Sequence, residues 1–256
     1  MIHVVIPYVR KEAQGRELEL AIEGWIRHFK EDFRIVVVGD FHPCLDNYPG
    51  KVNWIQQTHR PYASPEDYLP HIDIAYKLNT FILNWMLDKE FIYASDDVYA
   101  VRDFTLDDIR VPGWRLPNVP PVHPSTTGWA KDLSRTHEVL RRLDYPERHY
   151  VTHAPVVFEK QAFLGIKEAF KLTQKSYVFE DLYFNIHRPL APRRDLSKVE
   201  ALCKFIINYG LTAPKRGEIE RDVKIWKPIF LNNGTAGWSQ DLEDYLVEHY
   251  RKLMEK

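Results

Sequence analysis

The polar and apolar positions of this chain alternate between two periods. Ile2-His3-Val4-Val5-Ile6 is a short apolar run ended by Pro7 and predicts a buried strand. Over residues 14–30, Leu18, Ala21, Ile22, Trp25, Ile26 and Phe29 recur at helical spacing. Arg34-Ile35-Val36-Val37-Val38 predicts a second buried strand, closed by Gly39-Asp40, and Val52-Asn53-Trp54-Ile55 a weaker third. Residues 70–87 carry Ile74, Leu78, Phe81, Ile82 and Trp85 on one helical stripe. A further strand, Phe91-Ile92-Tyr93-Ala94, runs at once into Ser95-Asp96-Asp97. The order strand, helix, strand, strand, helix, strand predicts an α/β fold, with a mainly parallel sheet and helices on both faces.

The second half is less regular. Residues 129–143 and 159–172 read as helices, and Glu180 to His187 opens or lies on another. A terminal amphipathic helix over 239–255 has Leu242, Tyr245, Leu246 and Tyr250 on one face. Val111 to Thr127 is rich in Pro and Gly and reads as a long loop, of the kind that covers or lines sites. With no internal repeat or clear linker, the expectation is one domain over 1–256.

Composition narrows the classes. The 256 residues are 45% hydrophobic and 28% charged, as in a soluble globular protein. A net charge of −1 supplies no general attraction to nucleic acid or an anionic membrane. Two cysteines, Cys44 and Cys203, argue against a disulfide framework or a cysteine zinc site. No apolar run reaches membrane-spanning length, and the N-terminus begins as a strand rather than a signal peptide. The expected location is cytoplasmic.

The acid pair Asp96-Asp97 carries the first chemistry. Adjacent carboxylates at the end of a buried strand repel each other and resist desolvation. An N-cap followed by a solvated acid is the plain explanation. A divalent cation is the functional one, because Mg²⁺ and Mn²⁺ take carboxylate oxygens and keep positions open for phosphates. Two other strand ends favour the second. Arg10 follows the first strand, where a cation can face a phosphate, and Asp40 follows the second, where a carboxylate can accept from a ribose or base. In a parallel sheet these ends share one edge.

Glu180-Asp181 is a second acid pair, set among apolar residues. A carboxylate there can take a proton from a hydroxyl, stabilise developing positive charge, or complement a helix dipole. His153 precedes an apolar strand and a helix entry, and is either a ligand-facing or a core histidine. Of the seven tryptophans, Trp114, Trp129 and Trp238 are candidates to stack on a sugar or base. The loop Thr58-His59-Arg60-Pro61-Tyr62 mixes charge and aromatic character, as a phosphate- or base-contacting loop does.

Together, Arg10, Gly39-Asp40 and Ser95-Asp96-Asp97 resemble the GT-A-fold glycosyltransferases, whose acidic DxD motif holds a metal on a nucleotide-sugar diphosphate. Here the acids are adjacent, which departs from strict DxD spacing. The resemblance implies a GT-A-like sheet, a nucleotide-sugar-binding half at 1–110 and an acceptor-binding half at 111–256, Mn²⁺ or Mg²⁺ as cofactor, and a nucleoside-diphosphate sugar donor, most simply a UDP-sugar. It implies Asp97 as metal ligand, Asp96 on the ribose or on the metal through water, and Lys77 on the nucleotide. Phe179-Glu180-Asp181 is similar to the Glu-Asp element of exostosin-like enzymes, which implies acceptor-side roles for Glu180 and Asp181. His187 is implied as a third metal ligand. The acceptor is then a saccharide or other hydroxyl compound; a nucleic-acid acceptor gains no support from the near-neutral charge.

Local pieces also resemble the Stealth-type sugar-phosphate transferases of capsule synthesis: His153-Ala154-Pro155 before a strand and helix, and Phe230-Leu231-Asn232-Asn233-Gly234 before the last helix. That resemblance implies attack at phosphorus. A non-catalytic nucleotide-sugar-binding module is the third possibility. The chain has no GxGxxG after its first strand, no P-loop, no HExxH and no GxSxG, which weakens redox, ATPase, metalloprotease and hydrolase readings.

Overall fold

The computed structural model describes residues 1–57, 69–84, 89–110, 113–114, 128–150, 153–187, 194–196, 198–234 and 236–255. The expected loop at 58–62, Trp85 and nearly all of 111–127 lie outside them. The first half comprises β1 (Ile2–Tyr8), α1 (Glu17–His28), β2 (Phe33–Gly39), β3 (Val52–Gln56), α2 (Pro70–Asn84), β4 (Glu90–Tyr93), β5 (Val98–Ala100) and α3 (Leu106–Arg110). The second half adds β6 (Gly113–Trp114), α4 (Gly128–Arg142), β7 (Val156–Glu159), α5 (Lys160–Phe170), α6 (Phe179–His187), β8 (Arg194–Asp195) and α7 (Val199–Phe205). It closes with β9 (Ile206–Asn208), α8 (Arg216–Trp226), β10 (Phe230–Asn232) and α9 (Gln240–Met254).

The central sheet has the order β3-β2-β1-β4-β7. Its first four strands are parallel, and β7 pairs antiparallel with β4. The sheet is therefore mixed, where the sequence predicted only a mainly parallel one. β4 and β7 are joined through a long connection, and their backbone pairing runs Glu90 opposite Glu159 to Tyr93 opposite Val156.

The period of two along β1 and β2 sorts their side chains onto two faces. Val4, Ile6, Ile35 and Val37 pack on one side with Ile22 and Trp25 of α1. Val5, Val36 and Val38 pack on the other with Ala75, Leu78 and Phe81 of α2, and with α5 and α6. Helices thus cover both faces. A second sheet, β5-β10-β9, lies beyond α1. Leu20 and Ala21 of α1 share its core with Tyr99, Leu231, and Leu242 and Leu246 of α9. The elements of this second sheet are three residues each, too short for alternation to announce them.

Strand β1 continues past the expected stop at Pro7 to Tyr8. Ala94 N–H donates to Val5 O. Alternate residues address the same neighbour, so Pro7 faces the β4 side. The pairing of β4 with β1 ends at Val5 opposite Tyr93, so the missing N–H of Pro7 forfeits no ladder bond. The chain leaves β1 for β2 on one side and places β4 on the other. That is the point of a doubly wound sheet where a crevice opens beyond the strand ends.

Candidate functional site

The crevice at the ends of β1 and β4 holds two adjoining chambers of about 140 Å³ and 200 Å³. Ile74, Tyr93 and Ser95 border both. The first chamber is lined by Pro7 and Val9 from the end of β1, by Asp96 and Asp97 after β4, by Glu17 at the start of α1, and by Lys77. The second is lined by Glu180 at the start of α6, by His71, Trp129 and Tyr150, and by His153. The acid pair thus sits in one chamber and Glu180 in the other, with β4's last residues between them.

Asp96 and Asp97 are both half-buried. The turn that carries them is pinned from below, because Asn232 Nδ2 donates to Asp97 O at 3.0 Å. Burial raises the Asp96 carboxyl well above the usual range, and the charges of Asp97 and Glu17 add to the rise. Glu17 is buried as well. It accepts from Gln14 N–H and from Asn233 Nδ2, each at 2.6 Å. Burial pushes it up to about 7 against those hydrogen bonds, with Asp97 adding repulsion. No lysine or arginine among the described residues pairs with Asp96, Asp97 or Glu17. Glu12 and Asp73 border the same chamber, and Lys77 pairs with Asp73, so Glu17, Asp96 and Asp97 remain without a paired lysine or arginine among the described residues, a donor set that could hold Mg²⁺ or Mn²⁺.

Lys77 is the cation nearest this group in the chamber wall, and it is already engaged. Its Nζ, fully buried, donates to Asp73 Oδ2 at 2.7 Å and to Tyr8 O at 2.9 Å. It therefore ties α2 to the end of β1 and lowers Asp96 only partly. Arg10 and Asp40 do meet, but through the backbone: Arg10 N–H donates to Asp40 Oδ2 at 2.9 Å. Gly39 makes this approach possible. Its φ is +144°, and a Cβ there would fall 1.9 Å from Tyr8 O. Among the described residues, neither Arg10 nor Asp40 lines the two chambers.

Glu180 and Asp181, the second acid pair, point apart. Successive residues of a helix are turned by about 100°. Glu180 is 8% exposed and lines the second chamber, and its Oε2 has no hydrogen-bond partner among the described residues. Burial pushes it up to about 6, opposed by His71 and His149 and aided by Asp181. A carboxyl with that value can give or take a proton near neutral pH. Asp181 is fully buried and does not reach the chamber. Its Oδ1 accepts from Tyr150 N–H at 2.6 Å. Its Oδ2 lies 2.9 Å from His149 Nδ1 and 3.2 Å from His137 Nε2. Burial would raise this carboxyl, but the contacts with His137 and His149 hold it below the ordinary range.

His187 closes α6 at its far end. It is exposed, its ring tilted against that of Tyr183 at 5.3 Å, and it stands about 10 Å along the helix axis from Glu180. The structure does not bring it into the chamber with Asp97. His153, by contrast, does reach the site. It lines the second chamber with φ +57°, a left-handed conformation that a non-glycine residue adopts at a cost.

Of the three tryptophans singled out from sequence, Trp129 is 42% exposed and lines the second chamber. The ring of Trp114 is covered by the Arg148 guanidinium at 4.9 Å, and Trp238 lies beside Tyr99 in the second sheet's core. Glu17, His71, His137 and Tyr150 were not legible as site residues. An acid in the first turn of a helix is ordinary, and nothing in the spacing separates Glu17 from Glu19.

No protein-family description matches this chain, and no curated protein matches it. Among the described residues, no helix is long and apolar enough to cross a membrane.

Proposed function

We propose that this protein is a metal-dependent glycosyltransferase with a GT-A-like arrangement. It moves a sugar from a nucleoside-diphosphate sugar, a UDP-sugar in the simplest case, to a hydroxyl acceptor. The observation that carries this reading is the uncompensated group Glu17, Asp96 and Asp97 at the ends of β1 and β4. These three carboxylates, with Asp96 forced upward and the chamber's lysine already bound to Asp73, fit a divalent cation. Mn²⁺ or Mg²⁺ held there supplies positive charge for the diphosphate that leaves. The parallel order β3-β2-β1-β4 with an antiparallel fifth strand agrees with the proposed arrangement.

The chain's own residues then divide the work. Asp96 and Asp97 hold the cation and thereby the diphosphate. Tyr93 and Ser95, which border both chambers, lie where the donor's sugar meets the acceptor. Glu180 accepts the acceptor's hydroxyl proton as its oxygen bonds to the anomeric carbon and the bond to the diphosphate breaks. Trp129 offers a ring face for an acceptor sugar. Asp181 acts indirectly, by fixing the first turn of α6 on which Glu180 stands. Lys77, Arg10 and Asp40 shape the end of β1 and its loop. His187 has no part in this scheme.

A second reading, sugar-phosphate transfer of the Stealth type, draws on His153, held in a left-handed conformation in the chamber that Glu180 lines. The two chemistries leave different products. The test begins with a panel of nucleotide sugars in thermal melting, with and without Mn²⁺. A cation-dependent rise for one donor is expected, because a ligand of the folded state raises its melting temperature. Incubating that donor with saccharide acceptors then releases nucleoside diphosphate for glycosyl transfer and nucleoside monophosphate for sugar-phosphate transfer. Binding without either product leaves a binding module, and no response to any donor overturns the proposal.

A further inference from the structure

A second metal-ligating group lies behind the chamber wall, apart from Asp96 and Asp97. His137 on α4, His149 before the described break at 151–152, and Asp181 on α6 converge below the surface, all at most 1% exposed. His149 Nδ1 and His137 Nε2 stand 2.9 Å and 3.2 Å from the same oxygen, Asp181 Oδ2. Three nitrogen and oxygen donors within 4.8 Å of one another are a ligand set for a transition metal. Donors around a tetrahedral Zn²⁺, at bond lengths of about 2.0–2.1 Å, stand about 3.3 Å apart, close to the spacing here.

Hydrogen bonds from neutral imidazoles leave two features unexplained; a charged imidazolium or a bound metal ion answers each, and a metal assay tells the two apart. If neutral His137 donates from Nε2 to Asp181, its Nδ1 becomes a lone pair, and that atom faces Glu147 Oε2 at 3.7 Å. Arg141 donates to both oxygens of that carboxylate, so a lone pair facing it is repelled only weakly, yet it gains nothing. With Nε2 on a metal, Nδ1 carries the proton and the contact turns attractive, which is how carboxylates commonly back a metal-bound histidine. The second feature is charge. Asp181 is a fully buried carboxylate with no lysine or arginine paired to it among the described residues. A buried anion needs a compensating cation close by.

We propose that His137, His149 and Asp181 bind a Zn²⁺ ion that fastens α4, the 149–150 segment and the first turn of α6 together. The ion is structural for the acceptor side. Asp181 is next to Glu180, Tyr150 is next to His149, and Trp129 belongs to the same helix as His137; all three neighbours line the second chamber. The donor set is two neutral imidazoles and one carboxylate, which suits Zn²⁺ better than the all-oxygen set at Asp96 and Asp97.

Untagged protein, purified without chelator so that no histidine tag contributes metal, is analysed for bound metals by plasma mass spectrometry. It is then stripped with a chelator, and its melting is followed as Zn²⁺ is returned. The expected result is about one zinc per chain, and a melting temperature that falls by several degrees on stripping and recovers with Zn²⁺. Asp181→Asn, which keeps the side chain's shape, and His149→Gln lose the zinc, while Asp97→Asn retains it. If a variant fails to fold, Co²⁺ added to stripped wild-type protein replaces it as the test: a strong visible band from tetrahedral cobalt is expected. Wild-type protein that carries no zinc, melts identically with and without it, and gives no cobalt band overturns the proposal. So does zinc that leaves with Asp97→Asn but stays with Asp181→Asn. Nucleotide-sugar binding is read separately, so failure here leaves the glycosyltransferase reading standing, and the reverse also holds.

Discussion

Asp96-Asp97 and Glu180-Asp181 are nearly the same dipeptide, and the backbone beneath each decides what it becomes. The first pair stands in a turn after β4, where no helical rotation separates the residues, and both carboxylates border the same chamber. Their mutual repulsion is left for an outside cation to relieve. The second pair stands in the first turn of α6. There the helical rotation sends Glu180 into a chamber and Asp181 into the interior, against two histidines and a backbone N–H. One pair is left short of partners, the other half supplied with them. The first pair should therefore serve ligand binding, and the second should divide between chemistry and stability.

The sharpest break of this comparison is Asp181→Ala. It leaves His137, His149 and Tyr150 N–H without their common partner inside the protein. A cost of about 3–5 kcal/mol is expected, a large share of an ordinary domain's stability of about 5–15 kcal/mol. Urea denaturation, or yield of soluble protein where the loss is complete, measures it. Asp97→Asn makes the opposite case. Its unfolding midpoint without metal should stay near wild type or rise, since a repulsive charge is gone. Its Mn²⁺-dependent donor binding should vanish, and turnover should fall by about 10³-fold or more, because the cation's contribution is worth several kcal/mol. If Asp181→Ala proves mild and Asp97→Asn unfolds the protein, the division drawn here is wrong.

Glu180→Gln sharpens the division within the second pair. Turnover should drop by about 10²-fold with stability little changed, the usual scale for a lost proton acceptor. The wild-type rate should climb through about pH 6, where Glu180 loses its proton, and level off above it. The glutamine variant should lack that limb. A pH profile that is identical in both proteins would remove Glu180 from the chemistry.

These contrasts were legible in the sequence only in part. The apolar runs at Ile2–Ile6, Arg34–Val38 and Phe91–Ala94 and the helical stripes of α1 and α2 sufficed for the layered α/β frame and for the edge on which Asp96 and Asp97 stand. The adjacency of two acids after an apolar run is a local signal, and it marked the residues that border the first chamber. What periodicity lacks is rotation and long-range pairing. It placed Glu180 and Asp181 together, because their separation depends on the helix phase relative to the core. It gave no sign that β7 runs against β4, since hand and direction leave no mark within a four-residue strand. His187 looked near the acids in sequence, yet two helical turns carry it away. His137 and His149 come from segments 44 and 32 residues before Asp181, so only the fold could assemble them.

Glu17 offers the smallest and most selective test, because it belongs to the first pair's chamber while sitting on a different element. Its carboxyl is held at about 7 in the folded chain against an ordinary value of 4.5. The folded state therefore binds this proton more tightly than the unfolded chain does. Stability attributable to Glu17 is intact below about pH 4.5, declines as pH rises, and is fully lost above about pH 7. Comparing wild type with Glu17→Gln isolates the effect, since the histidines that titrate in the same range are common to both. Relative to the glutamine variant, wild type should lose on the order of 1–2 kcal/mol between pH 5 and pH 8, as followed by urea midpoints. Saturating Mn²⁺ should abolish that loss in wild type; in Glu17→Gln, where Asp96 and Asp97 still hold the cation, it should raise stability without removing any such pH-dependent loss, because the charge the cation answers at Glu17 is already gone. A pH dependence untouched by Mn²⁺ would show that Glu17 is strained by its burial alone, and would separate it from the carboxylates of Asp96 and Asp97.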